Sequence, residues 1–140
     1  MAKLVRIDRI LECRDGTAIL EFAFALPVLL TILLGILSYG QWFYFAQAMQ
    51  QVANDAARAA LPGLSSSERA GLAQTAANQD LSGFAGLSMG ATRFSIQDDG
   101  TQVRVTMSYD AGGSILLRNS LVPLPSTTIN RTAIIQLGNF

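Results

Sequence analysis

Residues 16–39, GTAILEFAFALPVLLTILLGILSY, decide the fold. Phe22 to Tyr39 is eighteen residues without a formal charge, and no Asp, Glu, Lys or Arg occurs until Asp55. As a helix rising about 1.5 Å per residue, eighteen residues cover roughly 27 Å, close to the hydrocarbon thickness of a bilayer. Pro27 lacks a backbone donor and would kink a soluble helix, but a membrane helix tolerates it. The chain is only 14% charged, against about 25% for an ordinary soluble domain. One long gap causes that deficit. The pattern is that of a membrane-spanning helix attached to an ordinary small domain, and 140 residues leave room for little more.

The flanks set a direction. Lys3, Arg6, Arg9 and Arg14 precede the apolar run, and the next basic residue after it is Arg58. Positive charge on the short N-terminal side keeps that side cytoplasmic, so the C-terminal domain is expected to be exported. Asp8, Glu12 and Asp15 dilute the net charge of the leader but count for little in this rule.

Between the charged leader and the apolar run lies Gly16-Thr17-Ala18-Ile19-Leu20-Glu21. A carboxylate at the helix centre in lipid costs on the order of 2.5–3.5 kcal/mol, and less near an interface, so Glu21 needs a compensating partner. Cutting the chain after Gly16 would supply one. The new α-amine of Thr17 would be positive, and Glu21 stands four residues on, one turn away on the same face. The carboxylate could pair with that amine or with the amine of a neighbouring subunit, and near a helix start it also meets the favourable end of the dipole.

Residues 14–60, RDGTAILEFAFALPVLLTILLGILSYGQWFYFAQAMQQVANDAARAA, resemble the N-terminal region of TadE-like pilus assembly proteins. These are minor pilins or pseudopilins of the tight-adherence (Flp-type) pilus systems. Besides the glycine-to-glutamate spacing, Pro27, the glycine-aromatic stretch Gly40 to Phe45 and the alanine-rich end Asp55 to Ala60 carry the resemblance. It implies a prepilin peptidase cut between Gly16 and Thr17, and a role for Glu21 in processing and assembly. The implied partners are that peptidase, other pilins or pseudopilins, an inner-membrane assembly platform and membrane lipid. The protein would be a single-pass inner-membrane protein with a periplasmic domain, entering or priming a pilus for adhesion or secretion. The expected division is a leader at 1–16, a long helix at 17–61 that spans the membrane over about 22–42, and an α+β domain at 62–140.

Nothing stops the helix at Tyr39. Trp42, Phe45, Ala46, Met49, Val52, Ala53, Ala56, Ala57 and Ala60 recur at three and four, with Gln47, Gln51, Asn54, Asp55 and Arg58 on the other side. Pro62-Gly63 ends the pattern. Tyr39, Trp42 and Tyr44 stand where an interfacial aromatic belt belongs. The alanine stripe admits close approach, either of this chain's own sheet or of neighbouring pilin helices. Ser65 with Glu68 reads as a capping box opening a second helix that ends by Asp80. Arg93 to Asp98 and Thr101 to Tyr109 flank Asp99-Gly100, a two-residue type I′ hairpin signal. That turn would pair Ile96 with Val103 and Phe94 with Val105, turning Arg104, Thr106 and Ser108 away. Thr127 to Leu137 reads as a third strand, whereas the apolar Ile115 to Pro125 connection has no clear assignment. The expected fold class is therefore α+β: a long N-terminal helix, a short helix and a three-stranded antiparallel sheet, a pilin-like plan.

Chemistry finds no foothold. The chain has no histidine, so the commonest general base and transition-metal ligand are missing. Asp98, Asp99 and Asp110 are too few and too irregular for calcium and read as turn residues. Ser114, Ser120 and Ser126 have no base to activate them. The glycines from Gly83 to Gly90 lack the Lys-Ser/Thr of a phosphate loop. Zero net charge and scattered arginines argue against nucleic acid. The lone Cys13 precedes the apolar run, which rules against a lipid-anchor cysteine and leaves the domain to hold together by packing. No enzymatic activity and no cofactor are expected. Two other readings remain open. One is a Sec-secreted binding protein cut near Ala46-Gln47-Ala48, the other an uncleaved single-pass anchor.

Overall fold

The computed structural model describes residues 14–118, 121–123 and 126–138. The leader's Lys3, Arg6, Arg9 and Cys13 lie outside these residues. A 46-residue helix, α1 (Arg14–Ala59), is followed by α2 (Ser66–Gly83) and strands β1 (Thr92–Asp98), β2 (Gln102–Asp110) and β3 (Thr128–Gln136). The sheet is antiparallel in the order β1-β2-β3, which makes the fold α+β.

At 1.5 Å per residue α1 is about 69 Å long. It runs through Pro27 without a break, and Thr31 Oγ1 donates to the Pro27 carbonyl at 2.8 Å. That back-bond satisfies a hydroxyl locally, as a lipid environment requires. From Gly16 to Leu33 every residue is exposed, including Ile19, Phe22, Phe24 and Val28. From Phe45 onward the stripe expected from the periodicity is buried: Phe45, Ala46, Met49, Val52, Ala53, Ala56, Ala57 and Ala60. One helix therefore has a bare half and a covered half.

The covering layer is this chain's own domain. α1 lies against β2 and β3, and α2 packs on α1 and β1. The core joins the α1 stripe to Ala73, Ala77 and Leu81 of α2 and to Val103, Val105, Met107 and Tyr109 of β2. Ile129 and Ala133 of β3 complete it. Alanines along α1 bring its backbone close to both neighbours, while Phe45 and Tyr109 meet edge-on with ring centroids 5.3 Å apart. Alternation along β2 is complete, with Val103, Val105, Met107 and Tyr109 inward and Arg104, Thr106 and Ser108 outward.

The hairpin departs from expectation in register but not in face. Ile96 pairs with Val105, Phe94 with Met107 and Asp98 with Val103, a slide of two residues from the pairing a two-residue turn would give. A type I′ turn needs positive φ at both central residues. Only Gly100 has it, at 83°. Asp99 instead organises a longer turn. Its carboxylate accepts from the amides of Thr101 and Gln102 and from the Thr101 hydroxyl at 2.7–2.9 Å, while its own amide donates to the Gln102 carbonyl. Because side chains alternate with period two, a slide of two leaves every apolar residue on its face.

Three boundaries also shift. α1 is already helical at Arg14, the first described residue, ahead of Thr17, since nothing in Arg14-Asp15-Gly16 breaks a helix in the uncut chain. α2 runs to Gly83, three residues past Asp80, and burial of Leu81 holds that last turn down. β3 covers Thr128–Gln136 rather than Thr127–Leu137. The α2 start is as expected: Ser65 Oγ accepts from the Glu68 amide at 3.2 Å, and the Glu68 carboxylate reaches back to the Leu64 amide at 2.9 Å.

Arg69 ties the helical corner to the hairpin. Its Nε donates to Asp98 Oδ2 at 2.6 Å and its Nη1 to the Gly63 carbonyl at 3.1 Å. Gly63 has to be glycine here, since a Cβ would lie 2.9 Å from the Arg69 amide nitrogen. The Arg69 hydrogen bond, helped by the Gly100 amide, holds the Asp98 carboxyl below the usual aspartate range, and the Thr101 and Gln102 donors hold Asp99 lower still. Groups with depressed folded-state values stabilise the fold above their unfolded pKa of about 3.9, and that contribution is lost as pH falls through the folded values. NMR titration of the carboxyl carbons should show both aspartates titrating below that value, and Arg69→Ala should move Asp98 back towards it while leaving Asp99 low. In the core, Ala53→Leu should overpack the α1 stripe and cost about 1–3 kcal/mol in denaturant unfolding.

Candidate functional site

Gly16, Thr17 and Glu21 lie in the first turns of α1, all exposed. The geometry places Thr17 and Glu21 one turn apart on one face. A Cβ built at Gly16 meets nothing within 4 Å, so the glycine is not required by packing inside this chain. Its neighbourhood is open backbone on a bare helix, which a membrane-embedded enzyme could reach. In the uncut chain the Thr17 nitrogen is a peptide amide without charge, so a cation for Glu21 at this point would arise only with chain cleavage.

A second cluster, missed by the sequence pattern, stands where the bare half of α1 meets the covered half. Ser38 is fully buried and donates to the Leu116 carbonyl at 3.0 Å. Tyr39 OH donates to the Pro123 carbonyl at 2.7 Å and Trp42 Nε1 to the Ser126 carbonyl at 2.8 Å. Ser114 Oγ hydrogen-bonds the Gln41 side-chain amide oxygen. The guanidinium of Arg131, on the inward face of β3, sits 5.8 Å from the Trp42 ring centroid, within cation–π range. Tyr39 and Trp42, expected in an interfacial aromatic belt, use their polar atoms to hold the Pro123 and Ser126 carbonyls onto the helix. Three of these acceptors are backbone carbonyls, which carry no mark in a sequence. The buried Ser38, in the middle of leucines, was the one available signal.

The three aspartates have structural partners. Asp98 pairs with Arg69, Asp99 closes the hairpin turn, and Asp110 accepts from the Gly112 amide at 2.9 Å to cap a single 3₁₀ turn. Among the described residues no group of three or more His, Cys, Asp or Glu could hold a metal ion. Burial, and then the nearby Asp55 charge, push the Asp80 carboxyl up.

The arrangement defines a class: a small α+β domain carried on the C-terminal half of one long helix whose other half is bare and apolar. Among the described residues that helix is long and apolar enough to cross a membrane. Residues 16–58, from Gly16 to the last turn of α1, match the family model of TadE-like proteins. The family points to involvement in a Tad pilus and is not a family of enzymes. No curated protein and no solved structure gives a match.

Proposed function

We propose that this chain is a minor pilin or pseudopilin of a Tad (Flp-type) pilus, anchored by α1 in the inner membrane with its sheet domain in the periplasm. A prepilin peptidase removes residues 1–16 on the cytoplasmic side. The mature subunit then joins, primes or caps a thin pilus used in adhesion or secretion, driven by an inner-membrane assembly platform.

The observation that carries this reading is a distance along α1. From Gly16, where the leader would be cut, to Ser38, where the domain first grips the helix, is 22 residues, or about 33 Å. That matches the roughly 30 Å hydrocarbon core. The segment between is exposed and carries one ionisable group, Glu21, one turn from the new amine. Cleavage would thus create a cation beside the carboxylate that the membrane edge disfavours. The positive flank at Lys3, Arg6, Arg9 and Arg14 supports a cytoplasmic leader. Secretion by cleavage near Ala46-Gln47-Ala48 fits poorly, because Ala46 and Ala48 are buried in the domain core and the cut would strip Phe45 and Trp42 from it.

Mass spectrometry of the protein made with and without a prepilin peptidase tests the reading. The expected mature product begins at Thr17, and it should be absent without the peptidase. Gly16→Ala should weaken processing. Glu21→Ala should leave processing largely intact and impair incorporation into pili; normal incorporation of that variant would remove the role assigned to the carboxylate. An intact amino terminus in native cells would sink the pilin reading itself.

A further inference from the structure

The connection between β2 and β3 is held at the level where α1 becomes bare. Its carbonyls at Leu116, Pro123 and Ser126 accept from Ser38, Tyr39 and Trp42, so it is fixed across about one turn of the helix. Leu117 and Val122 turn into the domain. Ile115 and Leu121 turn out, 87% and 68% exposed. Single exposed aliphatics are ordinary. These two are set apart by where they stand. The neighbouring Leu116 and Pro123 carbonyls are bonded to Ser38 and Tyr39, at the edge of the exposed apolar surface of α1 that runs from Ile19 to Leu37. Between them in sequence Arg118 is an exposed cation.

The opposite end of the domain is built differently. The turn from Asp98 to Gln102 carries no apolar side chain, and it is tied through Arg69 to Gly63, beyond the far end of α1. Tyr39 to Ala59 is twenty residues, so the two ends lie about 30 Å apart along the helix. Leu61 and Leu64 are exposed at that far corner as well, but of the two ends it is the one bonded to Ser38 and Tyr39 that is continuous with the bare half of the helix.

From this placement we infer that residues 115–118 and 121–123 form a second membrane contact. Ile115 and Leu121 enter the outer interfacial layer of the same bilayer that α1 crosses, with Arg118 at the phosphates. The occupant of this surface is lipid, because the surface continues the membrane-spanning face rather than standing apart from it. Two contacts fix the height and tilt of the domain where one helix alone would leave it free to rock. Departure of the subunit into a filament then requires withdrawing this loop as well as the helix. The inference rests on the reading that α1 spans a membrane.

The test uses the full chain in phosphatidylethanolamine/phosphatidylglycerol vesicles, with Cys13→Ser as background. An environment-sensitive fluorophore is placed in turn at Ile115→Cys, Leu121→Cys, Leu33→Cys and Gln97→Cys. Quenchers are lipids spin-labelled near the headgroup or deep in the acyl chain, and aqueous iodide. Labels at 115 and 121 should be quenched by the shallow lipid label several-fold more than the label at 97, and should be shielded from iodide. The label at 33 should respond to the deep label. If 33 responds and 115 and 121 behave like 97, loop docking is wrong and the spanning helix stands. If 33 is also open to iodide, the spanning helix fails and docking with it. Shielding from iodide without lipid quenching, growing with protein density, would assign the surface to a second copy of the chain and overturn the lipid assignment.

Discussion

An α-helix satisfies its own backbone hydrogen bonds whatever surrounds it, and every other feature of this molecule depends on that property being used twice in one continuous element. The N-terminal half of α1 presents bare Leu, Ile, Val and Phe, which only an apolar solvent would stabilise. The C-terminal half presents alanines and a few larger residues along one stripe, which a packed domain covers. A break between the halves would expose unpaired amides and carbonyls at the transition. None occurs, even at Pro27. The sheet domain is therefore built sideways onto a spine that already exists. Its architecture follows: two helices on one face of a three-stranded sheet, and an outer sheet face of mostly Arg, Ser, Thr, Asn and Gln, with Ile134 among them.

Alanine decides how tightly that attachment is made. With Ala53, Ala56, Ala57 and Ala60 at the contact, the α1 backbone can approach α2 and the sheet more closely than leucines would permit. Such a contact depends on shape, since alanine itself buries little area. Larger side chains come from the other partners: Leu81 from α2, Val103, Val105 and Met107 from β2, Ile129 from β3. Polar links then fix the two ends. Arg69 secures the distal corner to the hairpin, and Ser38, Tyr39 and Trp42 secure the proximal loop to the helix. Packing supplies the middle, and directional bonds define the poles.

Much of this was legible in the residues, for stated reasons. Apolar length, the stripe on α1, the Ser65 cap and the alternation in β2 are each set by local spacing, and each is found in the structure. The Gly16–Glu21 spacing was equally legible, because an acid beside an apolar run is conspicuous. Hairpin register was not, because Asp-Gly fits both a two-residue turn and the longer one closed by the Asp99 carboxylate. Period-two alternation cannot separate registers two residues apart. The start of α1 was drawn at the expected cut, whereas Arg14 to Gly16 are already helical in the uncut chain. The Ile115 to Pro125 connection was opaque because its anchors are carbonyl oxygens, identical at every residue.

The reach of the family match has a physical counterpart. It ends at Arg58, in the last turn of α1, and leaves the sheet outside. On the proposed reading, α1 must meet a peptidase at one end, a bilayer along its length and a domain at the other. Those demands fix glycine, glutamate, apolar length and the small-residue stripe at definite separations along a rigid rod. Adding one residue between Gly16 and Ser38 would lift the domain by about 1.5 Å and turn it by roughly 100° relative to the processing site. The sheet faces no comparable ruler. Any alternating strands that cover alanines, and any loop that offers carbonyls to Ser38, Tyr39 and Trp42, would meet its requirements. Sequence information is thus concentrated in the helix because the helix alone sets positions on both sides at once.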